Sequence, residues 1–145
     1  MKYFSLIFAL IGLMGCRSTQ LRPAGIPEPG MFKVTVFYPN GEGKTFDMDY
    51  YEKKHMPMVA GLLGTNLKFY EISRGISGRT EDDEIPFLAI GCFYVTDVAA
   101  YNAAVAQHRD AIIADFRNYT NIQPVIQISR IEEVGYANNN SPADR

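Results

Sequence analysis

One histidine in this chain stands among side chains with which it could move a proton. In the run Phe46-Asp47-Met48-Asp49-Tyr50-Tyr51-Glu52-Lys53-Lys54-His55-Met56-Pro57-Met58-Val59, His55 follows Tyr51 by four residues. On a helix that spacing puts both on one face. Tyr38 ends the apolar run that precedes this segment. A histidine titrates near neutrality. Held inward between two phenols, it can take a proton from an acidic carbon while a tyrosine donates to the developing enolate. His55 and Tyr51 are therefore the candidate catalytic residues, and Tyr38, Tyr50 and Met58 are expected to contact the ligand. A plainer reading gives His55 a backbone carbonyl to satisfy where Pro57 breaks the helix, because proline leaves one carbonyl without a donor.

Other chemistries find less support. His108 falls toward the end of a helix, where the dipole favours an imidazolium, and reads as structural. No cluster of His, Cys and carboxylates occurs at ligand spacing, so no metal is expected. Gly75-x-x-Gly78 lies in an acidic loop, away from the strand-to-helix turn that a phosphate-cradling fingerprint needs. With a net charge of −2 and no basic run, nucleic acid is not an expected partner.

The elements that must position His55 follow from periodicity. Phe32 to Tyr38 is rich in β-branched and aromatic residues and stops at Pro39-Asn40-Gly41, which predicts a strand and a turn. Asp47 or Asp49 can cap a helix running toward Gly64, kinked or restarted at Pro57. Leu67 to Arg74 reads as a second strand, Gly75 to Glu84 as a polar loop, and Pro86 to Thr96 as a central strand. Asp97 caps a second helix carrying Val98, Tyr101, Val105 and Ile112 in one stripe, with a break near Arg109-Asp110. Val125 to Val134 is the last strand. The order is β-α-β-β-α-β, a ferredoxin-like α+β fold. Its two helices cover one face of the sheet, yet the strands are apolar on both. Pairing two such sheets in a homodimer, as a dimeric α+β barrel, would cover the other face.

Ahead of the domain, a short basic start and an apolar core end at Leu13-Met14-Gly15-Cys16. The core is shorter than a membrane span and fits a signal peptide. Leu13-Met14-Gly15-Cys16 resembles the lipobox of bacterial lipoproteins, in which Cys16 is lipidated and anchors the chain to a membrane. The expected organisation is signal peptide 1–15, lipidated Cys16 and flexible tether 16–30, a domain over 31–136 and a disordered tail 137–145. The location is the cell envelope, and with Arg17 after the cysteine it is the outer membrane facing the periplasm in a Gram-negative host. Cys92 is then left alone in an apolar setting, where a lone thiol is safest.

The stretch Phe46 to Val59, placed after a Val-Thr-Val-Phe-Tyr-Pro strand, resembles the signature of the EthD family. There an aspartate and paired tyrosines precede a His-x-Pro on the first helix, as Asp47, Tyr50, Tyr51, His55 and Pro57 do here. The likeness extends through Phe93-Tyr94-Val95, the helix from Asp97 and a last strand ending near Glu132-Glu133, and covers roughly Phe32 to Val134. It implies a dimeric α+β barrel. The founding members accompany a cytochrome system that degrades ethyl tert-butyl ether, and many relatives are labelled reductases, which implies an oxidoreductase or its accessory. Some fungal relatives resemble cofactor-free enzymes acting on polyketide rings. Relatives of this barrel bind haem, which His55 could ligate, but nothing in the sequence requires it and no cofactor is expected. The readings for the cleft are a cofactor-free acid/base enzyme acting on a small apolar molecule, and a non-catalytic binding or envelope interaction module.

Overall fold

The computed structural model describes residues 25–135, so the leader, Cys16, most of the tether and the tail 137–145 lie outside the described residues. Strands β1 (Phe32–Pro39), β2 (Leu67–Arg74), β3 (Phe87–Val95) and β4 (Val125–Arg130) form one antiparallel sheet in the order β2-β3-β1-β4. Between β1 and β2 run α1 (Met48–Tyr50), a π-helical turn (Tyr51–His55) and α2 (Met56–Leu63). Between β3 and β4 run α3 (Val98–Gln107) and α4 (Arg109–Asp115), followed by a 3-10 turn (Phe116–Asn118). This is the expected ferredoxin-like arrangement. No helix among the described residues is long and apolar enough to cross a membrane.

Register sorts the side chains by face. Val34 lies opposite Phe93, Val36 opposite Gly91 and Tyr38 opposite Ala89, and this face carries the core. Met56, Val59 and Leu63 of α2 and Tyr101 of α3 close over it. The next residues along each strand point the other way. There Thr35 pairs with Cys92 and Lys33 with Tyr94.

Local chemistry sets the helix boundaries. The Asp47 carboxylate accepts from the Tyr50 backbone N–H at 3.1 Å, and that of Asp97 from Ala99 at 2.7 Å and Ala100 at 3.1 Å. Both caps satisfy donors that a helix start leaves open. A kink or a restarted helix is expected at Pro57, and the helix restarts there: α2 begins at Met56, after a widened turn. The Met56 N–H reaches back to the Tyr51 carbonyl, five residues away. This π-helical turn accommodates a proline that has no N–H and whose ring crowds the carbonyl four residues back. The break expected near Arg109 falls at His108, which separates α3 from α4.

The last strand is shorter than expected and stops at Arg130, not Val134. Its partner β1 begins at Phe32, opposite Arg130. Beyond that point only Gly30 and Met31 remain to exchange hydrogen bonds with Ile131.

Candidate functional site

A clamp between two loops brings the site together. The loop before α1 and the segment after α4 are joined by an isolated bridge from Phe46 to Thr120. The Asp47 N–H donates to the Tyr119 carbonyl at 2.7 Å, and the Thr120 hydroxyl donates to the Thr45 carbonyl at 2.8 Å. Asn121 ties the same loop at both ends: its amide oxygen accepts from the Thr45 N–H at 2.9 Å and its amide nitrogen donates to the Gly43 carbonyl at 2.8 Å. The π-helical turn is thereby set against the end of α4.

His55 is buried, only 4% exposed. Its Nδ1 lies 2.8 Å from Oδ2 of Asp115. The other carboxylate oxygen of Asp115 accepts from the Tyr50 hydroxyl at 2.8 Å and from the Asn118 amide at 2.8 Å. Asn118 also donates to the Tyr50 hydroxyl at 3.1 Å. The carboxylate is thus fixed by two donors on one oxygen and presents the other to the histidine. Asp115 is an acceptor, so the hydrogen bond selects the imidazole tautomer with a proton on Nδ1 and a lone pair on Nε2. Among the described residues every buried side-chain polar atom has a partner, and Nε2 is not hydrogen-bonded to any of them. It is therefore open, and His55 lines a cavity of about 70 Å³.

The walls of that cavity include Tyr38, Tyr51, Met56, Tyr101 and Phe116. Tyr51 stacks on the imidazole with centroids 5.6 Å apart and planes 17° from parallel, and Tyr119 lies at 4.6 Å. The hydroxyls of Tyr38 and Tyr119 are hydrogen-bonded at 2.9 Å. The Tyr51 hydroxyl projects over Gly91 of β3, where any Cβ would collide with it. Glycine is required there so that a phenol can reach the sheet.

Electrostatics favour a neutral, polar interior. Burial lowers the His55 pKa from its ordinary 6.5, partly opposed by the hydrogen bond and charge of Asp115. Burial alone would raise the Asp115 carboxyl. The hydrogen bonds from His55, Asn118 and Tyr50 together outweigh it and hold the group below the usual carboxylate range. Burial, and after it the neighbouring phenols, push Tyr38 and Tyr51 far above the ordinary tyrosine range. Burial does the same to Tyr119. All three stay protonated and can donate. The arrangement is a neutral imidazole base backed by a carboxylate, in a small chamber lined with phenols.

The structure brings His55, Tyr51 and Tyr38 together as the spacing suggested. Tyr50 stands behind the histidine and holds Asp115 from the side away from the cavity, which it does not line. Met58 is half-buried against the core, and its neighbours Met56 and Val59 line the cavity in its place. Sequence reasoning missed Asp115, Asn118, Tyr119 and the close approach at Gly91. A signal was present, since Asp115 and Tyr119 continue the stripe from Ile112 at helical spacing. His108 caps α3 and takes no part in the site.

Among the described residues no group of three or more His, Cys, Asp and Glu side chains is placed to hold a metal ion. A haem does not fit the chamber beside Nε2, because 70 Å³ is far below the roughly 300–1,000 Å³ of pockets for larger ligands.

Comparison with known proteins agrees with this fold. A family model described as the EthD domain matches residues 40–123. An EthD-like protein from Ralstonia eutropha JMP134 superimposes with a TM-score of 0.67 at 39% identity, over 71% of this chain and 93% of that one. An EthD family protein from Bacillus halodurans C-125 superimposes with a TM-score of 0.53 at 18% identity, over 72% of this chain and 99% of that one. A search of curated proteins returns no match. The family model spans more than half of the chain, and the chain belongs to the EthD family.

Proposed function

We propose that this EthD domain binds a small, largely apolar molecule between its helices and sheet and moves a proton on it without a cofactor. The observation that carries the reading is the Nδ1 bond of His55 to Asp115 at 2.8 Å, with Nε2 unpartnered among the described residues and His55 lining the cavity. In the forward step Nε2 takes the proton from a carbon next to a carbonyl, and the C–H electron pair moves into the enolate. Tyr51 or Tyr38 donates a hydrogen bond to the enolate oxygen, and the imidazolium formed is stabilised by Asp115. The proton then returns from Nε2 to another position of the ligand, so the step needs no oxidant or reductant. A pKa below 6.5 keeps the base deprotonated at neutral pH.

The test is exchange of deuterium from heavy water into a panel of β-diketones and cyclic polyketones, followed by proton NMR. Wild type is expected to catalyse exchange in at least one of them, and His55→Ala to abolish it. Equal exchange by both proteins would sink the reading. The small size of the chamber favours a second reading, a non-catalytic module that accepts only one end of its ligand. Ligand retained in native mass spectrometry with no exchange in any compound would establish that reading instead.

As part of the same proposal, the domain works as a homodimer tethered to the cell envelope through lipidated Cys16. The leader pattern and the apolar residues on the uncovered sheet face support this. Labelled palmitate should enter the wild-type chain and not Cys16→Ser, and sedimentation should give twice the chain mass.

A further inference from the structure

A second, larger concavity adjoins the His55 chamber. It is a groove of about 630 Å³ between α3, α4 and the edge strand β4, closed below by the segment that carries Ile122 and Pro124. Val105, Ile112, Phe116, Pro124 and Ile126 line both spaces, so one side-chain layer separates them. Phe116 belongs to that layer and also packs edge-on against His55, with centroids 5.6 Å apart. The groove explains two exposed apolar side chains. Ile113 and Ile126 are 46% and 56% exposed, and both line it.

Its charge is one-sided. Arg109 and Arg117 stand on the walls, and no acidic residue lines it. The ion pairs among the described residues are Lys33–Glu71, Lys53–Asp49 and His55–Asp115, and neither arginine takes part in one. The two are eight residues apart, Arg109 at the start of α4 and Arg117 in the 3-10 turn beyond its end. Arg117 also borders the neighbouring cleft that holds Asp47 and Asp49. Arg109 is therefore the freer anchor.

We infer that the molecule served by the His55 site is an amphipathic anion. Its apolar body lies in the groove along Ile112, Ile113 and Ile126, its acid group pairs with Arg109, and its reactive end passes Phe116 into the chamber of His55. This rests on the acid/base reading of that chamber and adds to it a class of ligand, an apolar monocarboxylate. A guanidinium suits the acid because it binds a carboxylate with two parallel hydrogen bonds. The apolar walls supply most of the affinity and the arginine the orientation.

The experiment uses the full chain in nanodiscs of zwitterionic lipid, with empty nanodiscs as reference. Affinities for phenylbutyrate and for its uncharged analogue phenylbutanol are compared by calorimetry. Phenylbutyrate is expected to bind about tenfold tighter or more, the yield of one charge-assisted contact. Arg109→Gln should remove that advantage, Arg117→Gln should reduce it less, and Ile113→Glu should repel the anion. His55→Ala should keep binding while it loses proton exchange. Equal affinity for the two compounds, or an advantage that survives both arginine substitutions, overturns the inference. If exchange into diketones still depends on His55 in that event, the acid/base reading stands and only the ligand class falls. If neither compound binds, the groove is not the ligand's seat and the inference falls as well.

Discussion

The two faces of the sheet are built on different rules. On the helix-covered face, a histidine, three tyrosines and a carboxylate meet through contacts spanning 60 to 81 positions in the chain. On the opposite face the contacts run between strands of the sheet itself. Phe69 stacks on Tyr94 at 4.1 Å, Phe37 lies on Phe87 at 5.0 Å, and Lys33 sits over the Tyr94 ring at 5.4 Å. These rings shield Thr35 and Cys92, which are buried although no helix lies over them. Buried polar groups cost free energy unless each finds a partner. The first face carries that cost in its centre and satisfies it throughout, the signature of a site. The second buries only the weak Thr35–Cys92 pair and keeps its one ion pair half-exposed, the signature of a packing surface.

The sharpest way to break the contrast is at Gly91. Adding a Cβ by Gly91→Ala drives out the Tyr51 hydroxyl, and overpacking of this kind costs about 1–3 kcal/mol. Thermal unfolding should show it as a clear loss of Tm, with His55 displaced in NMR spectra. The neighbouring Cys92→Ala, on the other face, trims one sulfur from a shallow layer and should leave His55 unmoved.

Next in size is Asp115→Asn. It replaces a charged acceptor by an amide in a partly buried bond, at about 1–2 kcal/mol. It also removes the Asp115 charge and weakens the hydrogen bond, the two influences that raise the His55 pKa, so burial meets less opposition and the imidazole should titrate lower still. A drop in stability with an unchanged His55 titration would show that the pair is packing only.

The pH dependence of stability belongs to the helix-covered face as well. His55 is depressed in the folded chain, so as pH falls past 6.5 the unfolded chain takes up a proton first and stability declines. The loss continues until the folded imidazole is itself protonated. Asp115 is also depressed, and its contribution is full above 3.8 and is lost as pH falls through the folded value. Calorimetry across the acid range should therefore show stability falling in two stages, with the lower one missing in Asp115→Asn. The smallest effect is expected on the open face. Glu71→Gln breaks a half-exposed pair at 3.4 Å and should cost about 0–1 kcal/mol, without changing the titration of His55.

The same division governs what could be read from the sequence. β2 was legible at both ends, as was the cap at Asp97, and the first helix's cap was narrowed to Asp47 or Asp49, because capping is local chemistry. The ferredoxin-like order followed from those elements. The inward direction of His55 and Tyr51 followed from a spacing of four. Asp115 did not, because its partner is 60 residues away and the pairing exists only once the Thr45–Asn121 clamp has formed. Gly91 looked like any glycine in an apolar strand, since its meaning lies in a tyrosine from a helix 40 positions earlier. The restart at Pro57 was legible, but the widened turn before it was not, because a proline predicts disruption and not how the neighbours absorb it.

The central claim is that His55 is a neutral base with its proton on Nδ1 and its lone pair facing the cavity. Nitrogen NMR of the imidazole tests it most directly, and His108→Gln leaves His55 as the single histidine in the spectrum. The account predicts the Nδ1–H tautomer at neutral pH and a titration midpoint below 6.5. An Nε2–H tautomer, or an imidazolium persisting above 6.5, would contradict it.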